Sequence, residues 1–197
     1  MRTVFHPSEM PPSGFYRLLT ASVVPRPIAW VSTLSSEGVA NLAPYSFFSV
    51  SSANPPVVQF TSVGRKDSLR NIEATGEFVI NLATEPLMEQ VNASSADYEH
   101  GVSELDELGI SHEPSEKVSP PRVAESPIAI EATLHRIIEV GDSFVLMGNV
   151  VAVAVRPEVL AEDGLPSFAD IAPLTRLGRT EWGLPPRVRS IDRPTRP

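Results

Sequence analysis

The sequence predicts a mostly-β domain of the sandwich or barrel kind, on three observations. Its 20 prolines and 11 glycines cut the 197 residues into short pieces bounded by turn signals, the punctuation of an all-β fold. The apolar runs between them are short and rich in β-branched residues. Ile128 to Val140 and Ser143 to Val155 also read as two long strands joined by Gly141-Asp142, a two-residue turn with glycine first. Long central strands of this kind curl, which favours a barrel.

The other elements follow in chain order. Ile28 to Leu34 is a strand entered through Pro25-Arg26-Pro27. Ser35 to Gly38 is turn-like, and Val39 to Ala43 returns as the second arm of a hairpin that Pro44 interrupts. Tyr45 to Ser51 continues as an irregular extended stretch. Pro55-Pro56 introduces a third strand, Val57 to Thr61. Asp67 to Gly76 reads as a short helix, with Asp67 as N-cap, Leu69 and Ile72 on one face, and Gly76 as terminator. Phe78 to Leu82 is the next strand, and Thr84-Glu85-Pro86 opens a second helix. Ser94 to Pro127 is a polar, acidic excursion. Beyond Pro157 the chain is loop-like, with helical turns around Glu158 to Ala161.

Composition narrows the function classes. Hydrophobic residues make up 42% and charged residues 20%, the balance of a globular chain. The length fits one domain, read as residues 1–184, with a Pro/Arg-rich tail over 185–197. Without a cysteine, disulfides, thiolate metal sites, iron–sulfur clusters and cysteine nucleophiles are excluded. The N-terminus shows no signal-peptide core, and the longest nearly apolar stretch, Phe144 to Val155, is too short for a spanning helix. A cytoplasmic protein without a membrane partner is expected. The net charge of −8 argues against a broad nucleic-acid surface. The tail gathers Arg187, Arg189, Arg193 and Arg196. It reads as a mobile or surface-hugging end, with an acidic partner as the sharper alternative.

The most chemically suggestive segment runs from Thr61 to Ser68. A strand ends, Gly64 turns the chain, Arg65 and Lys66 follow, and a helix begins. A helix start presents unpaired N–H groups and partial positive charge. Ser62 and Ser68 add hydroxyls, and each charge-assisted hydrogen bond contributes about 1.5–3 kcal/mol. The combination suits a phosphate, although Asp67 sets a negative charge beside it. A solvated helix start is the plainer alternative.

Upstream, Asn41 to Ser51 mixes apolar surface with donors. Pro44 leaves the N–H groups of Tyr45 and Ser46 free to face a ligand. Such a stretch suits the carbonyl edge of a flat heterocycle, and donors there stabilise such a ring when it is reduced and anionic. Phe47 and Phe48 read individually as core residues.

Taken together, Arg26 to Thr33, Asn41 to Phe48, Asn54-Pro55-Pro56, Gly64 to Ile72, Gly76 to Asn81 and Pro121 to Pro127 resemble, in order and spacing, the flavin reductase-like, FMN-binding split-barrel family. The likeness spans Tyr16 to Arg179. It implies a six-stranded antiparallel split β-barrel of Greek-key type with a few short flanking helices, and a homodimer with FMN near the interface. The expected cofactor-binding set is Ser32, Thr33, Asn41, Ala43, Pro44, Tyr45, Ser46, Thr61, Ser62, Arg65, Lys66, Asp67, Ser68 and Arg179. Within it, Ala43 to Ser46 border the isoalloxazine, while Ser62 and Arg65 to Ser68 hold the phosphate. Leu177-Gly178-Arg179 approaches the flavin and Trp182 covers it. FAD is a second cofactor candidate.

His6, His100, His112 and His135 show no metal-ligand spacing. The acidic run around Glu104 to Glu116 reads as a solvated face or lid, and no serine has a His–Asp pattern beside it. The expected activity is a flavin-dependent oxidoreductase, with NADH or NADPH passing a hydride to the flavin and no side-chain acid or base required. No Gly-rich dinucleotide fingerprint is present, so the nicotinamide binds transiently. The alternatives are an electron carrier served by a redox partner protein and a non-catalytic flavin-binding module.

Overall fold

The computed structural model describes residues 1–194. Seven strands form one antiparallel sheet: β1 (Ala29–Leu34), β2 (Ala40–Tyr45), β3 (Phe48–Ala53), β4 (Pro56–Val63), β5 (Glu77–Leu82), β6 (Ile128–Val140) and β7 (Ser143–Val155). Their order is β2-β1-β5-β6-β7-β4-β3. The expected count of six is thus corrected to seven. Phe48–Ala53, read as irregular, pairs with Pro56–Val63 from Phe48↔Phe60 to Ala53↔Pro56, with one register shift between Val50 and Ser52.

The two edge strands of this sheet, β2 and β3, are consecutive in the chain and separated only by Ser46 and Phe47. In a flat sheet of this order they would lie about 28 Å apart at the usual strand spacing. Three extended residue steps reach only about 11 Å. The sheet therefore curls until its edges meet at that link. The Tyr45 ring lies 4.7 Å from that of Phe60 on β4, and Thr61 N–H donates to the Phe47 carbonyl at 2.9 Å. Among the described residues no ladder joins β2 to β3, so the curl keeps an open seam.

Inside the curl lies one core. β1 contributes Ala29 and Val31, β4 Val58 and Phe60, β5 Phe78 and Ile80, and β7 Phe144 and Leu146. Helix α2 (Asp67–Thr75) closes it with Leu69 and Ile72. Gly76, at φ 73°, ends that helix in the left-handed conformation that glycine accepts without strain. The long hairpin β6–β7 turns at Gly141, φ 62°, as its sequence requires. Outside the curl, Ile28, Trp30 and Leu42 pack against Leu87 and Val91 of the α3 region (α3, Met88–Ala93) and Leu105 of α4 (Glu104–Glu107). β1 is thus buried on both faces.

Several local readings change. Pro44 lies within β2, opposite Trp30; an edge strand tolerates a residue without N–H. The N-cap position of α2 belongs to Lys66, and Asp67 is the first helical residue. Residues near 158 form only a 3-10 turn, Pro157–Val159. Helix α1 (Pro12–Ser22) has no counterpart in the sequence signals; it buries no residue and so lacks a core-facing stripe. Pro186 to Pro194 is exposed and without regular structure, and residues 195–197 of the expected tail, Arg196 included, lie outside the described residues.

Candidate functional site

A cleft of about 250 Å³ opens where the seam meets the start of α2. Its inner wall is Asn41, Ala43, Pro44 and Tyr45 from β2 with Lys66, Asp67 and Ser68 from α2; its outer wall is the segment Ser94 to His100. Two smaller lobes adjoin it. One, about 210 Å³, shares Pro44, Tyr45 and Lys66 and adds Tyr16, Ser46, Phe47 and Thr61. The other, about 140 Å³, shares Pro44 and Ser95 and adds Arg176 and Trp182.

Within the inner wall Asn41, Tyr45 and Ser68 are buried, whereas Lys66 is exposed. Asn41 Nδ2 donates to Ser68 Oγ at 3.0 Å. Helix α2 starts without a side-chain cap, so its first N–H groups are left for an external acceptor. The Tyr45 hydroxyl is buried and has no hydrogen-bond partner among the described residues. Burial raises the Tyr45 phenol above its ordinary range, against the opposing influence of the Ser68 and Ser62 hydroxyls. An orphaned buried hydroxyl costs roughly 1–3 kcal/mol.

Glu104 departs from the solvated face expected of its acidic run. It is buried, lines the cleft and accepts from Leu42 N–H at 2.8 Å. Burial raises its carboxyl above the ordinary carboxylate range, with the Leu42 hydrogen bond pulling the other way.

The expected cofactor residues divide. Asn41, Ala43, Pro44, Tyr45, Ser46, Thr61, Lys66, Asp67 and Ser68 all line the cleft or the lobe beside it. Ser32 and Thr33 are fully buried elsewhere: Ser32 donates to the Pro121 carbonyl at 2.5 Å, and Thr33 accepts from Asn71 at 3.0 Å. Ser62 is buried with its hydroxyl on the Gly64 carbonyl at 3.0 Å. Arg65 pairs with Glu73 and lies over the Phe144 ring, 5.3 Å from its centroid. Arg179 is exposed near Glu181. Phe48 packs against the core, whereas Phe47 faces Tyr16 at 6.2 Å between ring centroids and lines a lobe.

Sequence reasoning misses the outer wall. His100 Nδ1 sits 2.8 Å from Asp67 Oδ1, which also receives Arg70 at 2.9 Å. Among the described residues, the buried hydrogen bond from Trp30 Nε1 to Ser94 Oγ, 2.8 Å, ties the start of that segment to the sheet. No local motif encodes a contact between residues 64 positions apart.

At the seam of the curled antiparallel sheet an uncapped helix start and Lys66 offer a place for an anionic group, beside the carboxylates of Asp67, Asp97 and Glu104, and Pro44 and Tyr45 offer a surface for a flat one. The family model described as flavin reductase-like domain matches residues 21–174, and the chain belongs to that family. It is an FMN-binding oxidoreductase of the flavin reductase type. An uncharacterised protein of Halalkalibacterium halodurans is 38% identical over 202 residues, covering 96% of each chain. Nitrilotriacetate monooxygenase component B from Bacillus cereus superposes with a TM-score of 0.91 at 30% identity, covering 97% of this chain and 99% of that one. The 2-nitrobenzoate 2-nitroreductase of Pseudomonas fluorescens gives 0.91 at 32% identity, covering 98% and 97%.

Proposed function

We propose that the cleft holds FMN with its phosphate at the start of α2 and its ring along Pro44 to Phe47, and that NADH or NADPH is the electron donor. The observation that carries this reading is the uncapped start of α2 opening on the cleft beside Lys66. Its first N–H groups are donors without a side-chain acceptor, and a phosphate supplies acceptors. Lys66 lines the same space and supplies the charge. Arg65 contributes only if it leaves Glu73. Asn41 fixes the Ser68 hydroxyl, and Phe47, Tyr16 and Pro44 give the ring an apolar slot.

When bound, FMN supplies two-electron redox chemistry. The chain's task is to hold the ring, exclude water and present donors to its carbonyl edge. No side chain need move a proton for that task. Titrating the purified protein with FMN, then adding NADH or NADPH without oxygen, tests the reading; bleaching of the flavin band is expected. Absence of bleaching with either nucleotide returns the chain to the electron-carrier alternative.

A homodimer in the cytoplasm is part of the same proposal. Ile138, Val140 and Val63 stand exposed together on the outer face of the β6-β7-β4 part of the sheet, an apolar surface of the kind that marks an interface. Among the described residues no helix is long and apolar enough to cross a membrane. Sedimentation should report twice the chain mass, and a charged residue at Val63 or Ile138 should lower it to one.

A further inference from the structure

Arg26–Pro27, Thr175–Arg176 and Trp182–Gly183 form a small three-stranded sheet beside the cleft. In it Arg26 stands directly opposite Arg176. Like charges at such a position repel, and the Arg26 guanidinium is held below its ordinary range by burial and, further, by Arg176. Arg26 is satisfied by carbonyls: it donates to those of Thr20, of Val23 at 2.7 Å and of Leu177 at 2.9 Å. Arg176 is not. Its guanidinium stacks on Trp182, 4.5 Å from the ring centroid, and meets only the Glu181 and Arg179 carbonyls at 3.4 and 3.3 Å. Among the described residues it has no carboxylate partner, whereas Arg65, Arg70, Arg122 and Arg179 each have one.

Arg176 and Trp182 line the lobe of about 140 Å³, with Ile28 and Pro44 as apolar surface and Ser46, Ser95 and Asn92 as uncharged polar groups. No acid lines it. Ser46 Oγ lies 3.4 Å from Arg26 Nε, as acceptor, so its own proton is available to the lobe. A cation fixed by an aromatic ring presents two parallel donors, which match a carboxylate. The apolar surface suits a flat body, and the space is that of a single ring, too small for a nucleotide.

We propose that this lobe binds a planar organic carboxylate as second ligand of the flavin site. The position beside the flavin rests on the FMN reading; the recognition chemistry does not. Benzoate is the probe and benzamide its neutral counterpart, each titrated calorimetrically into the protein with and without FMN. Benzoate is expected to bind at least tenfold tighter than benzamide. Arg176→Met should remove that preference, and Arg176→Lys should restore part of it. Equal binding of the two probes to the unaltered protein, or an unchanged preference in Arg176→Met, overturns the proposal. If the unaltered protein binds no FMN, the cofactor reading fails instead; if it binds FMN but not benzoate, only this inference fails.

Discussion

The two walls of the cleft are built by different means. The inner wall is strand and helix: Asn41 and Ser68 are bonded to each other, and Tyr45 is packed on Phe60. The outer wall is loop: Ser95, Ala96, Asp97 and His100 are exposed, and the segment hangs from the sheet by Ser94 on Trp30. Arg26 performs the same service for the 175–183 segment through the Leu177 carbonyl. A rigid wall fixes a ligand's position, while a wall with few buried contacts opens at low cost. In the proposed function the cofactor rests on the first wall and the passing substrate enters by the second.

The comparison breaks most easily at Lys66. Replacing it with Met is expected to weaken FMN binding by about 10- to 100-fold, the value of one charge-assisted hydrogen bond. Arg65→Met should change it by less than about threefold, since Glu73 already holds that cation. Fluorescence titration of FMN reads both; equal effects would move the phosphate toward Arg65.

Glu104 tests how far the inner wall depends on the α4 region. Glu104→Ala strands the buried Leu42 N–H and should cost about 1–3 kcal/mol in chemical denaturation. Glu104→Gln keeps an acceptor and should cost less. Because burial raises the Glu104 carboxyl, the folded chain holds that proton more tightly than the unfolded chain. This stabilisation is complete below the ordinary carboxylate range and is lost as pH rises through it to the raised value. The Gln variant should therefore gain on the unaltered protein as pH rises above the ordinary carboxylate range. A parallel pair of pH profiles would contradict this.

Tyr45→Phe sharpens the contrast through opposite signs. Removing an unpartnered buried hydroxyl should leave the unliganded fold as stable or up to about 1 kcal/mol more stable. FMN affinity should fall several-fold. A loss of stability without FMN would show that the hydroxyl is already satisfied. The smallest effect belongs to the outer wall: His100→Ala, at an exposed position, should shift stability by less than about 0.5 kcal/mol. A larger shift would make the outer wall as rigid as the inner one.

The strands of the curl were readable where hydrophobic runs met turn residues, as in β1, β5 and the β6–β7 hairpin. The Asp67–Thr75 helix was readable from Leu69, Ile72 and Gly76. β3 was obscured because its Ser-rich stretch lacks a buried face; Ser49, Val50 and Ser51 are all exposed. Pro44 misled for a positional reason, since its effect depends on which strand lies at the edge, and that is settled by topology. Within the cleft, the continuous stretches around Pro44 and Lys66 carried local signals. Glu104, His100 and Arg176 reach the site only through tertiary packing, so no spacing announced them. Ser32, Thr33 and Ser62 have suitable chemistry, but their hydroxyls are already engaged in the interior.

Pro44 and Glu104 together have an effect on how this chain behaves in crowded solution. An exposed sheet rim is a template on which a foreign strand can zip. Along β2 the outward donors alternate; Leu42 N–H is claimed by Glu104, and two residues on Pro44 has no hydrogen to offer. A foreign strand laid along this rim finds no free donor at these two alternate positions, so strand addition from that side is disfavoured.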